Sequence, residues 1–346
     1  MKQIFKFSPI FCVIFFFTYD IFGQQKNDYA PQIDSLIQTT TPRNFNGVIL
    51  INKNGKTKYS KAFGYANLDK KVPLKMNDNF IIMSNSKQIT AVLILREVEK
   101  GNIDLHIPIR KYLPNLQQTW ADTVTVHNLL NFTAGITDID KPLIFKSGND
   151  FKYGNTNYAL LGKIIENITG KPYIEVANIF FQELKMKNTF CFEPNKVQNR
   201  TEGYINNKNN FKLADNPIVN LDNIAAAGII SNAKDLSIWD RKLHKGKILN
   251  PETYLLMTNY NITAQHIAFG TEKIGYGYGI RINDKILPKY IGHTGGGNGF
   301  VSFKIYFPKN DVNIIILENQ SNEEVALFYA LEIKIKEIIL KSKLLK

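Results

Sequence analysis

The sequence predicts an α+β fold in which both chain ends build one antiparallel sheet flanked by helices, with a mostly helical lobe inserted in the middle. Three observations lead there. Segments of β-rich composition cluster toward each end; the stretch between them has helical periodicity; no repeat, low-complexity linker or composition break divides the chain. A single catalytic-type unit over 28–346 is expected, with an α/β lobe at about 28–100 and 250–346 and a helical lobe at about 101–249. A cleft between the lobes is the expected place for a site.

The N-terminal run MKQIFKFSPIFCVIFFFTYDIFGQQKND opens with Lys2 and Lys6, is apolar through Phe22, and then turns polar. This is the pattern of a secretory signal peptide, read here as residues 1–23, which implies a periplasmic or extracellular protein. The alternative is a membrane anchor left uncleaved, against which the run is short and broken by Pro9 and Asp20. Cys12 lacks the small residues before it that lipid attachment needs, and no later segment is long and apolar enough to span. Loss of the leader leaves Cys191 as the only cysteine, so packing rather than an internal disulfide must hold the core.

The formal charge is +13, and removing Lys2, Lys6 and Asp20 with the leader makes it +12. The lysines are spread along the chain, with modest clusters only at 242–247 and in the C-terminal tail. No nucleic-acid partner is expected; the charge reads as a solvated basic surface that could associate peripherally with anionic envelope polymers or lipid.

A short helical pattern at DSLIQTT precedes NFNGVILINKNG and KTKYSKAFGYANL, two strands joined at Asn54-Gly55, the strongest short hairpin signal. Helical patterns follow in QITAVLILREVEKG, NYALLGKIIENITG and AKDLSIWDRKLHKG. YGYGIRIND, LPKYIGHTG, GFVSFKIYFPKND and VNIIILENQ then suggest three or four more strands, and a lysine-rich amphipathic helix closes the chain from about Glu323.

The pattern Ser-x-x-Lys marks serine acyl enzymes whose nucleophile is activated by lysine. It occurs twice, as SNSK (84–87) and SNAK (231–234), against about one expected by chance from 11 serines and 37 lysines. Context separates the two. Ser84 follows the apolar run NFIIM and opens a helix whose residues 89–95 are apolar except Thr90, so Lys87 sits at the edge of burial, where its ammonium is disfavoured. Ser84 and Lys87 share one face of the first turn, and the free N–H groups of a helix start favour an alkoxide. SNAK opens a helix that alternates Leu236, Trp239 and Leu243 with Asp235, Asp240, Arg241 and Lys242, which looks half exposed, with Asn232 as cap and Asp235 favouring a charged Lys234.

Tyr-x-Asn occurs at 65–67, 153–155 and 204–206, and only YGN (153–155) stands in a loop opening a well-patterned helix, with Tyr158, Leu161, Ile165 and Ile168 at helical spacing. HTGGGNGF (293–300) lies between two predicted strands. Its glycines allow close backbone approach to a ligand, although taken alone it reads first as a glycine-rich hairpin with a structural histidine. The five histidines show no ligand spacing with carboxylates or Cys191, so neither a metal nor another cofactor is expected.

The ordered set SNSK, YGN, HTG resembles the serine β-lactamase and penicillin-binding protein family, in the branch of class C β-lactamases, DD-carboxypeptidases, D-aminopeptidases and esterases. NGVILINKNGKTKYSKAFGYANLD, EKGNIDLHIPIRKYLPN, VTVHNLLNFTAGI, NTNYALLGKIIENITGKPY, AAAGIISNAKDLSIW and GHTGGGNGF are similar to stretches at these places in that family. The resemblance implies a β-lactamase/transpeptidase-like fold and an acyl-enzyme mechanism. It implies Ser84 as nucleophile, Lys87 as its proton partner and Tyr153 as general base and then acid. Asn155, His293, Thr294, Gly295 and Gly296 would bind substrate, with the N–H groups of Ser84 and Gly296 forming an oxyanion hole.

Two departures matter. His293 stands where many β-lactamases have lysine, which weakens the fixed charge for a substrate carboxylate and favours peptidase or esterase chemistry over efficient β-lactam hydrolysis. There is also no SDN element or upstream glutamate in the class A arrangement. The expected function is an exported serine hydrolase acting on a D-amino-acid peptide, small ester or β-lactam, with peptidoglycan as a candidate partner. A catalytically weak penicillin-binding envelope protein that senses wall peptides is the alternative.

Overall fold

The structure is a computed structural model that describes residues 28–193, 200–214, 219–263, 269–270 and 273–346. The leader read at 1–23 lies outside the described residues. The main sheet has seven antiparallel strands, in the spatial order Gly275–Tyr276, Arg281–Asn283, Tyr290–Gly297, Phe300–Phe307, Val312–Glu318, Gly47–Lys53 and Lys56–Phe63. Both chain ends supply it, as the sequence predicts for an α+β fold. Asn54 and Gly55 turn the N-terminal hairpin with φ of 52° and 71°, the left-handed pair such a two-residue turn requires.

The C-terminal half contributes five strands to this sheet rather than three or four, because YGYGIRIND splits into two very short ones. The closing helix runs Ala330–Lys341, later than expected, since a 3-10 turn at Val325–Leu327 intervenes.

Alternation along the central strands divides the core in two. Ile49, Ile51, Phe303, Ile305, Ile314 and Ile316 pack against the helices Ala30–Ile37 and Ala330–Lys341. Val48, Leu50, Ile315 and Leu317 face the opposite side, toward Ala233–His244 and the helical segments of the middle of the chain. Three buried ion pairs among the described residues stitch these layers. Arg43 bonds Glu318 of the sheet at 2.8 Å and Glu332 of the last helix at 2.9 Å, and Lys304 of the sheet pairs with Asp240 of the Ala233–His244 helix.

That helix corrects the half-exposed picture of SNAK: Asp235 and Asp240 are buried along with Leu236, Trp239 and Leu243. Asp235 accepts from the backbone N–H of Asn188 and the hydroxyl of Thr189, not from Lys234. The expected cap is present, with Asn232 Oδ1 accepting from Asp235 N at 2.9 Å.

A small three-stranded set, Phe80–Ile81, Ile229–Ser231 and Phe190–Cys191, lies at the start of the helix Ser86–Glu99. Every residue of that helix from Ser86 to Leu95 is buried, so the apolar run after SNSK does mark a core helix. Cys191 is buried and forms no disulfide among the described residues.

Candidate active site

Ser84 sits in the 3-10 turn Met83–Asn85, between the strand Phe80–Ile81 and the buried helix. Met83 has φ of 49°, a left-handed conformation that costs a non-glycine residue about 1–2 kcal/mol and must be held by its surroundings. Three contacts hold it. Ile82 N donates to Ile229 O at 2.9 Å, Asn85 Nδ2 donates to Ser302 Oγ at 2.8 Å, and Ser302 Oγ donates to Ile82 O at 2.6 Å.

Lys87 lies one turn on and is fully buried. Its Nζ donates to Ser84 Oγ at 3.0 Å, to Asn155 Oδ1 at 2.8 Å and to the Ala226 carbonyl at 3.0 Å. Burial pushes the ammonium below its ordinary pKa; a hydrogen bond with Tyr153 opposes that, and the Arg281 charge adds to the lowering. As a neutral amine, Lys87 can satisfy Asn155 Oδ1 and Ala226 O with its two N–H groups and turn its lone pair to the serine hydroxyl.

Tyr153 precedes the helix Asn155–Thr169, in the loop position the sequence suggests. Its ring centre is 5.0 Å from Lys87 Nζ and 4.4 Å from the ring of Phe132, so it is half-buried between the lysine and an aromatic wall. Asn155, the first helical residue, is exposed and touches the site through its bond to Lys87.

The opposite wall is the strand Tyr290–Gly297, so the HTGGG run is itself β-structure, with only Asn298 and Gly299 turning to the next strand. His293 is fully buried, its ring 6.3 Å from that of Tyr153. Nδ1 lies 2.5 Å from the Thr294 carbonyl and Nε2 lies 2.9 Å from the Tyr276 hydroxyl. The carbonyl facing Nδ1 requires a proton on that nitrogen, and Nε2 is paired with the Tyr276 hydroxyl. Thr294 is buried and hydrogen-bonds to Tyr329, so its side chain is engaged with the C-terminal segment.

The two glycines of the motif are each explained by close approach. A Cβ on Gly295 would meet the Ile82 carbonyl, Ser302 Oγ at 2.6 Å and Ser84 N at 2.7 Å. The strand is therefore pressed directly onto the nucleophile's turn at Gly295. A Cβ on Gly296 would meet the Phe328 ring, with the Tyr329 hydroxyl at 2.9 Å.

Ser231 fails the same geometric test. It is fully buried in a strand, with its hydroxyl 2.8 Å from Thr189 Oγ1 and no lysine among its hydrogen-bond partners in the described residues.

Sequence reasoning missed Arg281. It is 1% exposed, and its guanidinium carbon lies 5.7 Å from the ring centre of Tyr153 and 5.6 Å from that of Tyr276. The strand Arg281–Asn283 places it opposite Gly292, one residue before His293. A lone arginine in a β-rich stretch carries no local signal of this; only the pairing of two strands aligns it with the HTG run. Tyr276, which bonds His293, was hidden for the same reason.

The family model described as "Beta-lactamase" matches residues 33–333. Protein flp of Staphylococcus aureus (strain MRSA252) is 28% identical over 330 aligned residues, covering 86% of this chain but 64% of that protein, so the chain spans less than two thirds of its length. The octameric penicillin-binding protein homologue from Pyrococcus abyssi superposes with a TM-score of 0.72 at 28% identity, covering 84% of this chain and 74% of that one. D-amino acid amidase from Ochrobactrum anthropi SV3, at 22% identity, shares the fold with a TM-score of 0.77 over 90% of this chain and 99% of its own. With a sheet drawn from both chain ends, a Ser-x-x-Lys turn at the head of a buried helix and a family match across nearly all the described residues, the chain belongs to the β-lactamase family.

Proposed function

We propose that the protein is a serine hydrolase that forms an acyl-enzyme on Ser84 and hydrolyses an amide or ester. The observation that carries this is the buried Lys87 Nζ at 3.0 Å from Ser84 Oγ. A lysine disfavoured as an ammonium and hydrogen-bonded to a serine at a helix start is suited to accept that serine's proton.

In this reading Ser84 Oγ attacks the carbonyl carbon while its proton passes to the Lys87–Tyr153 pair. The Ser84 and Gly296 N–H groups take the developing oxyanion, and Tyr153 returns the proton to the leaving group. Water then attacks the acyl-enzyme by the reverse proton path. Asn155 has its carbonyl oxygen committed to Lys87, which leaves its amide nitrogen to donate to a substrate carbonyl.

The substrate class we favour is a short peptide of D-amino acids or a small ester, ahead of a β-lactam. His293 is buried and bonded to Tyr276, so it offers a substrate carboxylate no exposed cation. The same observation favours one second reading, a penicillin-binding envelope protein that is acylated but turns over slowly. Export to the periplasm or beyond, with peptidoglycan as the physiological setting, is proposed from the leader-like residues 1–23 alone.

The test is to measure turnover of a p-nitrophenyl ester, a D-alanyl p-nitroanilide and a chromogenic cephalosporin by the protein and by Ser84→Ala. Ester or amide turnover lost in Ser84→Ala supports the hydrolase. Stoichiometric acylation without turnover selects the slow binding protein, and turnover unchanged in Ser84→Ala overturns both readings.

A further inference from the structure

A cleft of 440 Å³ lies away from the site, between the strands of the N-terminal hairpin and the helix Ala233–His244. None of the residues assigned to catalysis or substrate binding lines it. Leu50, Met76 and Ile238 form apolar walls, while Asn52, Ser237 and Asn313 line it with polar groups.

The polar groups are not saturated. Ser237 Oγ accepts from Asn52 Nδ2 at 2.7 Å and from Asn313 Nδ2 at 3.3 Å, so its own proton is free to be donated. Asn313 is 6% exposed, and its Oδ1 is buried with no hydrogen-bond partner among the described residues. That oxygen is closed off from the cleft and the same side chain bonds Asp240, so the donor offered to the cleft is the Ser237 hydroxyl.

The rim is cationic. Lys234 and Arg241 project from the same helix seven residues apart, both exposed and both without an ion-pair or hydrogen-bond partner among the described residues. Seven residues are two turns, about 10 Å along one face. Asp311 also lines the cleft, but it is already engaged by Lys245 at 3.1 Å and by the Tyr306 hydroxyl at 3.0 Å.

We propose that this cleft is a second binding site, for a small peptide-like carboxylate such as an N-acylated amino acid or dipeptide. Its apolar side chain packs on Leu50, Met76 and Ile238, and its carboxylate takes the Ser237 hydroxyl and the Lys234 and Arg241 charges. The cleft is within the size range of small-molecule sites. The inference does not depend on the hydrolase reading, since no residue of the site described above takes part.

The test uses the full protein with Ser84→Ala, so that nothing is turned over, and measures by calorimetry and by amide chemical shifts the binding of N-acetyl-alanyl-leucine as free acid and as amide. The free acid is expected to bind with shifts at Asn52, Ser237 and Asn313. The amide and the double variant Lys234→Gln/Arg241→Gln are each expected to weaken binding about tenfold or more, from loss of charge pairing at a partly desolvated rim. Both substituted positions are exposed, so the variant retains its fold. Binding equal in the double variant, shifts confined to Ser84, Tyr153 and Asn155, or no binding at millimolar ligand would each overturn the proposal.

Discussion

Substituting Gly295→Ala tests how tightly the glycine strand is registered against the nucleophile. The added methyl would stand 2.6 Å from Ser302 Oγ and 2.7 Å from Ser84 N, and closer still to the Ile82 carbonyl, whereas ordinary van der Waals contact begins at 3.4 Å. Two of these three atoms are backbone, and Ser302 Oγ is held by bonds to Ile82 and Asn85. The strand must therefore retreat by about 1 Å from the Met83–Asn85 turn, the shortfall at the Ile82 carbonyl. Overpacking of this kind costs about 1–3 kcal/mol of stability.

The larger effect falls on the proposed oxyanion pair, whose donors need to lie about 2.7–3.1 Å from the developing charge. Displacing one of them is expected to lower acylation of Ser84 by about 10²–10³-fold, or about 2.7–4 kcal/mol. The assay is the rate of p-nitrophenol release from an activated ester, with near-ultraviolet circular dichroism to verify packing. Gly101→Ala is a stringent control, because its φ of +77° adds a backbone strain that Gly295 does not have while nothing lies within 4 Å of the added methyl. A folded Gly295→Ala enzyme acylating within about threefold of the parent would refute the proposed contact between strand and nucleophile.

Other outcomes follow from the buried charges. Arg281→Met removes a charge that helps hold the Lys87 ammonium down, so the acidic limb of the acylation rate moves to higher pH, while Arg281→Lys retains the parent profile; identical limbs in parent and Arg281→Met would contradict this role. Lys304→Met strands Asp240 in the core and is expected to cost about 3–5 kcal/mol in urea unfolding, most of it recovered when Asp240→Asn is added; an unchanged midpoint in the single variant counts against the pair. His244 is buried against Tyr306, Tyr254, Asp240 and Lys304, and burial first, then the Lys304 and Lys245 charges, push its pKa well below the usual value. Because the unfolded chain binds that proton more readily, His244 contributes no penalty above the ordinary histidine pKa of about 6.5 and destabilises the fold as pH falls below it. His244→Phe, which keeps the stacking on Tyr306, should flatten the loss of stability in that window; an unaltered slope would assign the loss to other groups.

What could be read in the sequence was whatever local chemistry decides. Asn54-Gly55 dictates its own turn, and the apolar run after SNSK permits only a buried helix, which distinguishes Ser84 from Ser231 before any coordinates are seen. Tyr153 could be chosen over Tyr65 and Tyr204 because only it opens a helix; the other two lie in strands. Features decided by long-range pairing were invisible. Asp235 and Asp240 look like a solvated helix face until Thr189 and Lys304 arrive from distant segments to bury them. Arg281 looks like an ordinary strand residue until pairing with Gly292 sets it beside Tyr153. The late start of the last helix has the same origin, since Phe328 and Tyr329 are held against Gly296 by packing rather than by helical periodicity.

The most direct test of the central claim is to trap the acyl-enzyme and locate it. The protein is incubated with a fluorescent penicillin or an activated ester and quenched in acid. Intact mass then gives the stoichiometry, and peptide mass spectrometry gives the modified residue. One adduct per chain on Ser84, absent from Ser84→Ala and slowed by at least about a hundredfold in Lys87→Met, is the predicted result. An adduct on Ser231 or on any residue other than Ser84, or full labelling of Lys87→Met at the parent rate, would contradict it.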